Sequence, residues 1–122
     1  MRRILVVEDN EQNCYLMTYL LEKSGFSVAL ARTGNEGLSM AISEKPDLIL
    51  MDIQLPDLDG LEVTRRIRES DIDGTIPIVA VTSFAMAGDR LKAFEAGCNG
   101  YLEKPIDPEL LLREIEKYFH AS

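Results

Sequence analysis

Short β-branched apolar runs alternate along the chain with longer stretches whose apolar residues recur every three to four positions. The runs at Ile4–Val7, Val28–Ala31, Leu48–Met51 and Ile78–Val81, with a short one near Tyr101–Leu102, read as strands. Between them lie helical stretches at 11–24, 34–44, 60–69, 85–95 and 108–119. In the first, Cys14, Met17, Leu20 and Leu21 share one face, and Gly25 supplies a stop. Thr33-Gly34-Asn35-Glu36 has the form of a capping box, and Asp59 with Glu62 repeats that spacing. Asp107-Pro108 places an N-cap before a proline at the first helical position. The fourth helix has the weakest pattern, since Ala85, Met86, Ala87 and Gly88 carry little periodicity.

Strands three and four are almost unbroken apolar runs, as expected of strands covered on both faces in a parallel sheet. Five β-α repeats predict an α/β, doubly wound five-stranded sheet, a (βα)5 unit of flavodoxin-like order 2-1-3-4-5. No linker, repeat or low-complexity segment interrupts the pattern, so one domain is expected over residues 1–122.

Composition narrows the class without changing that architecture. Hydrophobic residues make up 46% and charged residues 28%, an ordinary globular balance. No apolar run approaches bilayer length and no signal-peptide pattern opens the chain, so the expectation is cytoplasmic, with no membrane partner. The net charge is −8, and the densest basic cluster, Arg65, Arg66 and Arg68, reads as a solvated helix face, so no nucleic-acid partner is expected. Cys14 and Cys98 lack zinc or C-x-x-C spacing, and His120 is the only histidine. A Cys–His metal site and a His-based triad are both improbable on that inventory.

In an open α/β sheet, ligands bind beyond the carboxyl ends of the strands, where the strand order reverses. Glu8 and Asp9 follow strand one, Asp52 strand three, Thr82 strand four and Lys104 strand five. Each has a plainer role. Asp9 could cap a helix with Gln12 completing the box, Asp52 could open the loop through Pro56, Thr82 could end a strand, and Lys104 could be a surface charge. All five on one rim is harder to explain that way. Two carboxylates about 4 Å apart repel by roughly 1 kcal/mol in water and about 4 kcal/mol near a protein surface. Glu8, Asp9 and Asp52 sum to −3, which Lys104 and one divalent ion would neutralise. Oxygen donors alone point to a hard ion, magnesium before zinc, and magnesium usually works beside a phosphate.

Glu8-Asp9, Asp52, Thr82 and Lys104-Pro105 together resemble the signature of response-regulator receiver domains of two-component systems, and the resemblance spans the whole chain. The stretches 51–56 and 77–82 and Gly97-Cys98 also resemble DivK-type single-domain regulators and the receivers of hybrid kinases. The resemblance implies that Asp52 is the phosphoacceptor, fed by a histidine kinase or histidine phosphotransfer protein. It implies that Asp9 and Asp52 ligate Mg2+ directly, Glu8 through water, and Gln54 through its backbone carbonyl. Lys104 would pair with Asp52 and then with a phosphoryl oxygen, while Thr82 would bond another. Ser83, next to Thr82, is small enough to leave the site open. Tyr101 matches an aromatic switch position, although a half-buried strand tyrosine explains it equally well. The expected outcome is a phosphorylation-activated regulator that is no enzyme beyond self-phosphotransfer and autodephosphorylation. It would signal to a downstream target protein through helix four, strand five and helix five. The loop must also turn sharply to aim Lys104 at the site, so a cis Lys104-Pro105 bond is expected.

Two rivals share parts of this pattern. A haloacid-dehalogenase-type phosphatase needs an acid two residues after its nucleophile, where this chain has Gln54. A flavin module needs a hydroxyl- or glycine-rich phosphate loop after strand one, where Glu8-Asp9-Asn10 would repel the phosphate.

Overall fold

The computed structural model describes residues 2–70, 74–83 and 88–119. Five strands, β1 (Arg3–Val7), β2 (Ser27–Ala31), β3 (Leu48–Asp52), β4 (Ile78–Thr82) and β5 (Gly100–Glu103), pair in parallel in the order β2-β1-β3-β4-β5. The helices are α1 (Glu11–Lys23), α2 (Gly34–Glu44), α3 (Gly60–Ser70), α4 (Asp89–Ala96) and α5 (Pro108–Phe119). The expected fold and strand order are both present. The expected start of the fourth helix, 85–87, lies outside the described residues.

The period-two rule divides the sheet between two cores. Ile4, Val6, Leu48, Leu50, Val79 and Val81 pack with Met17 and Leu21 of α1 and Leu111 and Ile115 of α5. Their neighbours Leu5, Val7, Ile49, Met51, Ile78 and Ala80 pack with residues of α2, α3 and α4 on the other face. Each large side chain so buried contributes roughly 1.5–3 kcal/mol. Sliding any central strand by one residue would exchange the two sets, so the register, and the height at which each strand ends, is tightly held.

The helix ends follow the sequence signals with informative exceptions. Thr33 Oγ1 accepts the Glu36 N–H at 3.1 Å, one half of the expected capping box, while the Glu36 carboxylate reaches one residue further back, to the Arg32 N–H at 3.2 Å. Asp107 Oδ1 accepts from Glu109 N at 2.9 Å ahead of Pro108, and Gly25, just past α1, takes φ 94°. At α3, Asp59 caps through Leu61 N at 2.7 Å, but Glu62 pairs with Arg65 and Arg66 instead of closing a box. The expected solvated Arg cluster is also divided. Arg68 leaves it to donate to Gly97 O at 3.0 Å and Asn99 Oδ1 at 2.7 Å, tying the end of α3 to the α4–β5 turn.

Candidate functional site

All five predicted residues arrive at the carboxyl rim of the sheet, with Asp52 and Thr82 as the last residues of their strands rather than the first beyond them. Glu8 continues β1, its N–H donating to Ala31 O at 2.9 Å. The Cys14 thiol, kept protonated by burial, donates to the Glu8 carbonyl at 3.1 Å. That is a use for Cys14 beyond filling the core, and nothing in the spacing announced it. Helix α1 is capped by Asn10, whose Oδ1 accepts from Asn13 N at 3.0 Å. The cap is therefore not Asp9, and its carboxylate remains with the rim cluster. Asn10 also donates its own N–H to Glu8 Oε2 at 3.1 Å.

Carboxylate oxygens of Glu8, Asp9 and Asp52 lie within 4.8 Å of one another. Glu8 is 0% and Asp52 3% exposed, while Asp9 is open to solvent. Lys104 Nζ enters between the two buried groups, 2.7 Å from Glu8 Oε1 and 3.3 Å from Asp52 Oδ2. The tighter partner is Glu8, where the resemblance implied only Asp52. The Lys104-Pro105 bond is cis, as expected. Lys104 N also donates to Thr82 O at 2.8 Å, locking the β5 exit against the β4 end. Thr82 is 2% exposed.

The electrostatics are those of a site short of positive charge. Burial raises the Asp52 carboxyl most, the Glu8 charge raises it further, and Lys104 and the Gln54 N–H pull back only in part. The result is a pKa pushed up from 3.8 to about 7. Burial by itself would lower Lys104, but the Glu8 and Asp52 carboxylates outweigh it and raise the ammonium above its ordinary value. Three hard oxygen donors around one ammonium suit a small divalent cation such as Mg2+ better than a soft metal.

The loop after Asp52 folds back over it. Gln54 N donates to Asp52 Oδ1 at 3.1 Å, which sets the Gln54 backbone beside the cluster. Gln54 bridges to Asp59, and Gly60 N donates to Ile53 O at 2.8 Å. Gly60 is a functional position that the sequence reading missed. A Cβ there would collide with the Asp52 backbone oxygen and meet Ile53 Cα at 2.8 Å, so only glycine lets α3 start this close to the phosphoacceptor candidate.

Away from the cluster, Tyr101 pairs in register with Ala80 and packs on the α3–α4 side, the side to which Ala80 and Thr82 alternate. Its hydroxyl is buried without a hydrogen-bond partner among the described residues. Burial, with the Asp89 and Glu103 charges adding, raises its phenol pKa. A groove of about 280 Å³ beside it is lined by residues including Arg90, Ile106 and Leu110. Ser83 is exposed at the rim. Among the described residues, no helix is long and apolar enough to cross a membrane.

A family model described as the response regulator receiver domain matches residues 4–116. The chain is 44% identical over 117 residues to the polar-differentiation response regulator DivK of Brucella anthropi, covering 96% of this chain and 95% of that protein. The receiver domain of a Pseudomonas aeruginosa sensor histidine kinase has a solved structure with a magnesium ion coordinated in its active site cleft. It matches with 37% identity and a TM-score of 0.90 over 98% of each chain. A co-crystal structure of the Saccharomyces cerevisiae histidine phosphotransfer signaling protein Ypd1 with the receiver domain of its downstream response regulator Ssk1 matches at 32% identity. Its TM-score is 0.90, over 96% of this chain and 88% of that one.

Proposed function

The chain belongs to the response regulator receiver family of two-component systems, and on that premise we propose that Asp52 takes a phosphoryl group from a phosphohistidine. The observation that carries this is the placement of Asp52. It is a nearly buried carboxylate at a strand end, within 4.8 Å of two further acids and 3.3 Å from an ammonium. A carboxylate oxygen of Asp52 attacks phosphorus, forming an O–P bond as the N–P bond to the donor imidazole breaks. The imidazole keeps that electron pair and takes up a proton, and Asp52 becomes an acyl phosphate.

Glu8, Asp9, Asp52 and the Gln54 carbonyl would hold Mg2+, which supplies neutralisation of charge on the phosphoryl oxygens. Lys104 orients Asp52 beforehand and then meets one phosphoryl oxygen, and the Thr82 hydroxyl meets another. No second substrate is turned over. The chemistry is self-phosphotransfer followed by autodephosphorylation, and the output is protein contact. A histidine kinase or histidine phosphotransfer protein is the donor this reading favours. The likeness to a kinase-borne receiver and to the Ypd1-bound one supports it. The downstream target would read the face of α4, β5 and α5 around Tyr101 and Leu110.

Intact-mass spectrometry after incubation with acetyl phosphate tests the assignment. The wild type should gain one phosphoryl group only when a divalent cation is present, and Asp52→Asn should gain none. A stable adduct on the Asn variant would overturn it.

A further inference from the structure

The β3–α3 loop is tied down at two ends, and only one of them is near the acidic cluster. At its neck are the Gln54–Asp59 bridge and the Gly60 N–H bond to Ile53. At its tip, Asp57 reaches a different element. Its Oδ1 accepts the Gly34 N–H at 2.6 Å and its Oδ2 the Asn35 N–H at 2.9 Å, the first two amides of α2. Thr33, the helix's own cap, serves a different amide, that of Glu36. The two bonds cross 23 and 22 residues of sequence, and they hold the Asp57 carboxyl below its ordinary pKa.

The approach is built for closeness. A Cβ at Gly34 would meet Leu58 Cβ at 2.9 Å, Val63 Cγ2 at 3.0 Å and Asp57 Oδ1 at 3.1 Å. Gln54 stands at the neck itself, bridged to Asp59, and the stretch that leaves it runs directly to the anchored tip at Asp57. With both ends held, the path of its main chain is set, and with it the direction of the carbonyl that the proposed function gives to the metal ion. We propose that Asp57 is a positioning residue for the divalent cation, holding the β3–α3 loop against α2 so that the Gln54 carbonyl faces the Glu8–Asp9–Asp52 cluster. The inference rests on the reading of that cluster as the ion site.

Amide NMR during Mg2+ titration separates the possibilities. Asp57→Ala should weaken Mg2+ binding roughly tenfold, the scale of losing a residue that orients a metal ligand. It should also move the 53–59 amides before any metal is added. Asp57→Asn keeps an oxygen for the Gly34 N–H and should recover most of the loss. Thr33→Ala removes a cap from the same helix without touching the loop, and should lower stability while leaving Mg2+ affinity unchanged. Asp57→Ser, with a shorter reach, carries the same comparison should the Ala variant fold poorly, and is expected to bind between Ala and wild type. Wild-type affinity in the Ala and Ser variants would overturn the inference. So would a Thr33→Ala variant that weakens Mg2+ as much as they do, because helix stability would then explain everything. A wild type whose amides ignore Mg2+ would instead remove the ion site itself, and the inference with it.

Discussion

Replacing Asp52 by Asn should make the metal-free domain more stable at neutral and alkaline pH. The reason is the carboxyl's environment. Burial and the neighbouring Glu8 charge raise its pKa from 3.8 to about 7, because Lys104 at 3.3 Å answers only part of that cost. A carboxyl with a higher pKa in the fold than in the unfolded chain holds its proton more tightly when folded. Its stabilising contribution is complete below about 3.8 and is lost as pH rises through about 7. A shift of about three pH units corresponds to roughly 4 kcal/mol at most. Asn is itself a buried polar group and forfeits the Lys104 attraction, so about 1–3 kcal/mol is the expected gain.

Urea denaturation midpoints of wild type and Asp52→Asn between pH 5 and pH 8, with a chelator and then with Mg2+, measure this. The variant should exceed the wild type at pH 8 in chelator, and the gap should shrink toward pH 5. Saturating Mg2+ should close it by stabilising the wild type alone, by about 2.7 kcal/mol at a hundred times the dissociation constant. Equal midpoints at pH 8 without metal, or a less stable Asn variant, would show that Lys104 fully compensates the buried charge.

Two further outcomes follow from the same geometry. Lys104→Met leaves Glu8, 0% exposed, beside Asp52 with no ammonium between them, and should cost about 3 kcal/mol by urea titration at pH 8. The loss should be smaller at pH 5, where Asp52 is protonated. Thr82→Ala should still be phosphorylated but should transmit less of the change, read as smaller amide shifts over 88–102 on adding beryllofluoride with Mg2+. Shifts as large as in the wild type would remove Thr82 from the route.

What could be read from the sequence is what local chemistry decides. Ile4 to Val7 and Leu48 to Met51 are apolar at every position because both sheet faces are covered, and this gave strand identity and parallel pairing together. The rim residues were visible because each follows an apolar run by one or two positions. Features that depend on distant pairs were not visible. Nothing near Asp57 points to amides 23 residues away, and nothing near Arg68 points to Gly97 and Asn99. Adjacent Asp9 and Asn10 are both competent N-caps, so the choice between them falls to the backbone. Gly60 resembled any glycine at the start of a helix, because its constraint comes from the Asp52 carbonyl across the loop.

The acidic rim and the Tyr101 face belong to one argument about a response with two states. A cluster that is under-neutralised when empty gains most from whatever supplies positive charge or reorganises the oxygens. A ligand shifts an equilibrium only by its differential contacts with the two states. An acyl phosphate on Asp52 adds about one negative charge and new acceptor oxygens at that point. Its contacts with Lys104 and Thr82 would be worth roughly 1.5–3 kcal/mol each as charge-assisted bonds. The Tyr101 hydroxyl is buried with no hydrogen-bond partner among the described residues, a state that costs about 1–3 kcal/mol and weakens its hold on the present position. Thr82 and Tyr101 alternate to the same sheet face, with Tyr101 opposite Ala80, two residues before Thr82. On β5, Glu103 stands opposite Thr82 and Tyr101 opposite Ala80, and both β5 residues line the groove with Arg90 and Leu110, so a displacement of the threonine would reach the groove through that edge. The unpaired hydroxyl and the new phosphoryl contacts would act in the same direction, so together they could reverse a gap of a few kcal/mol between two states.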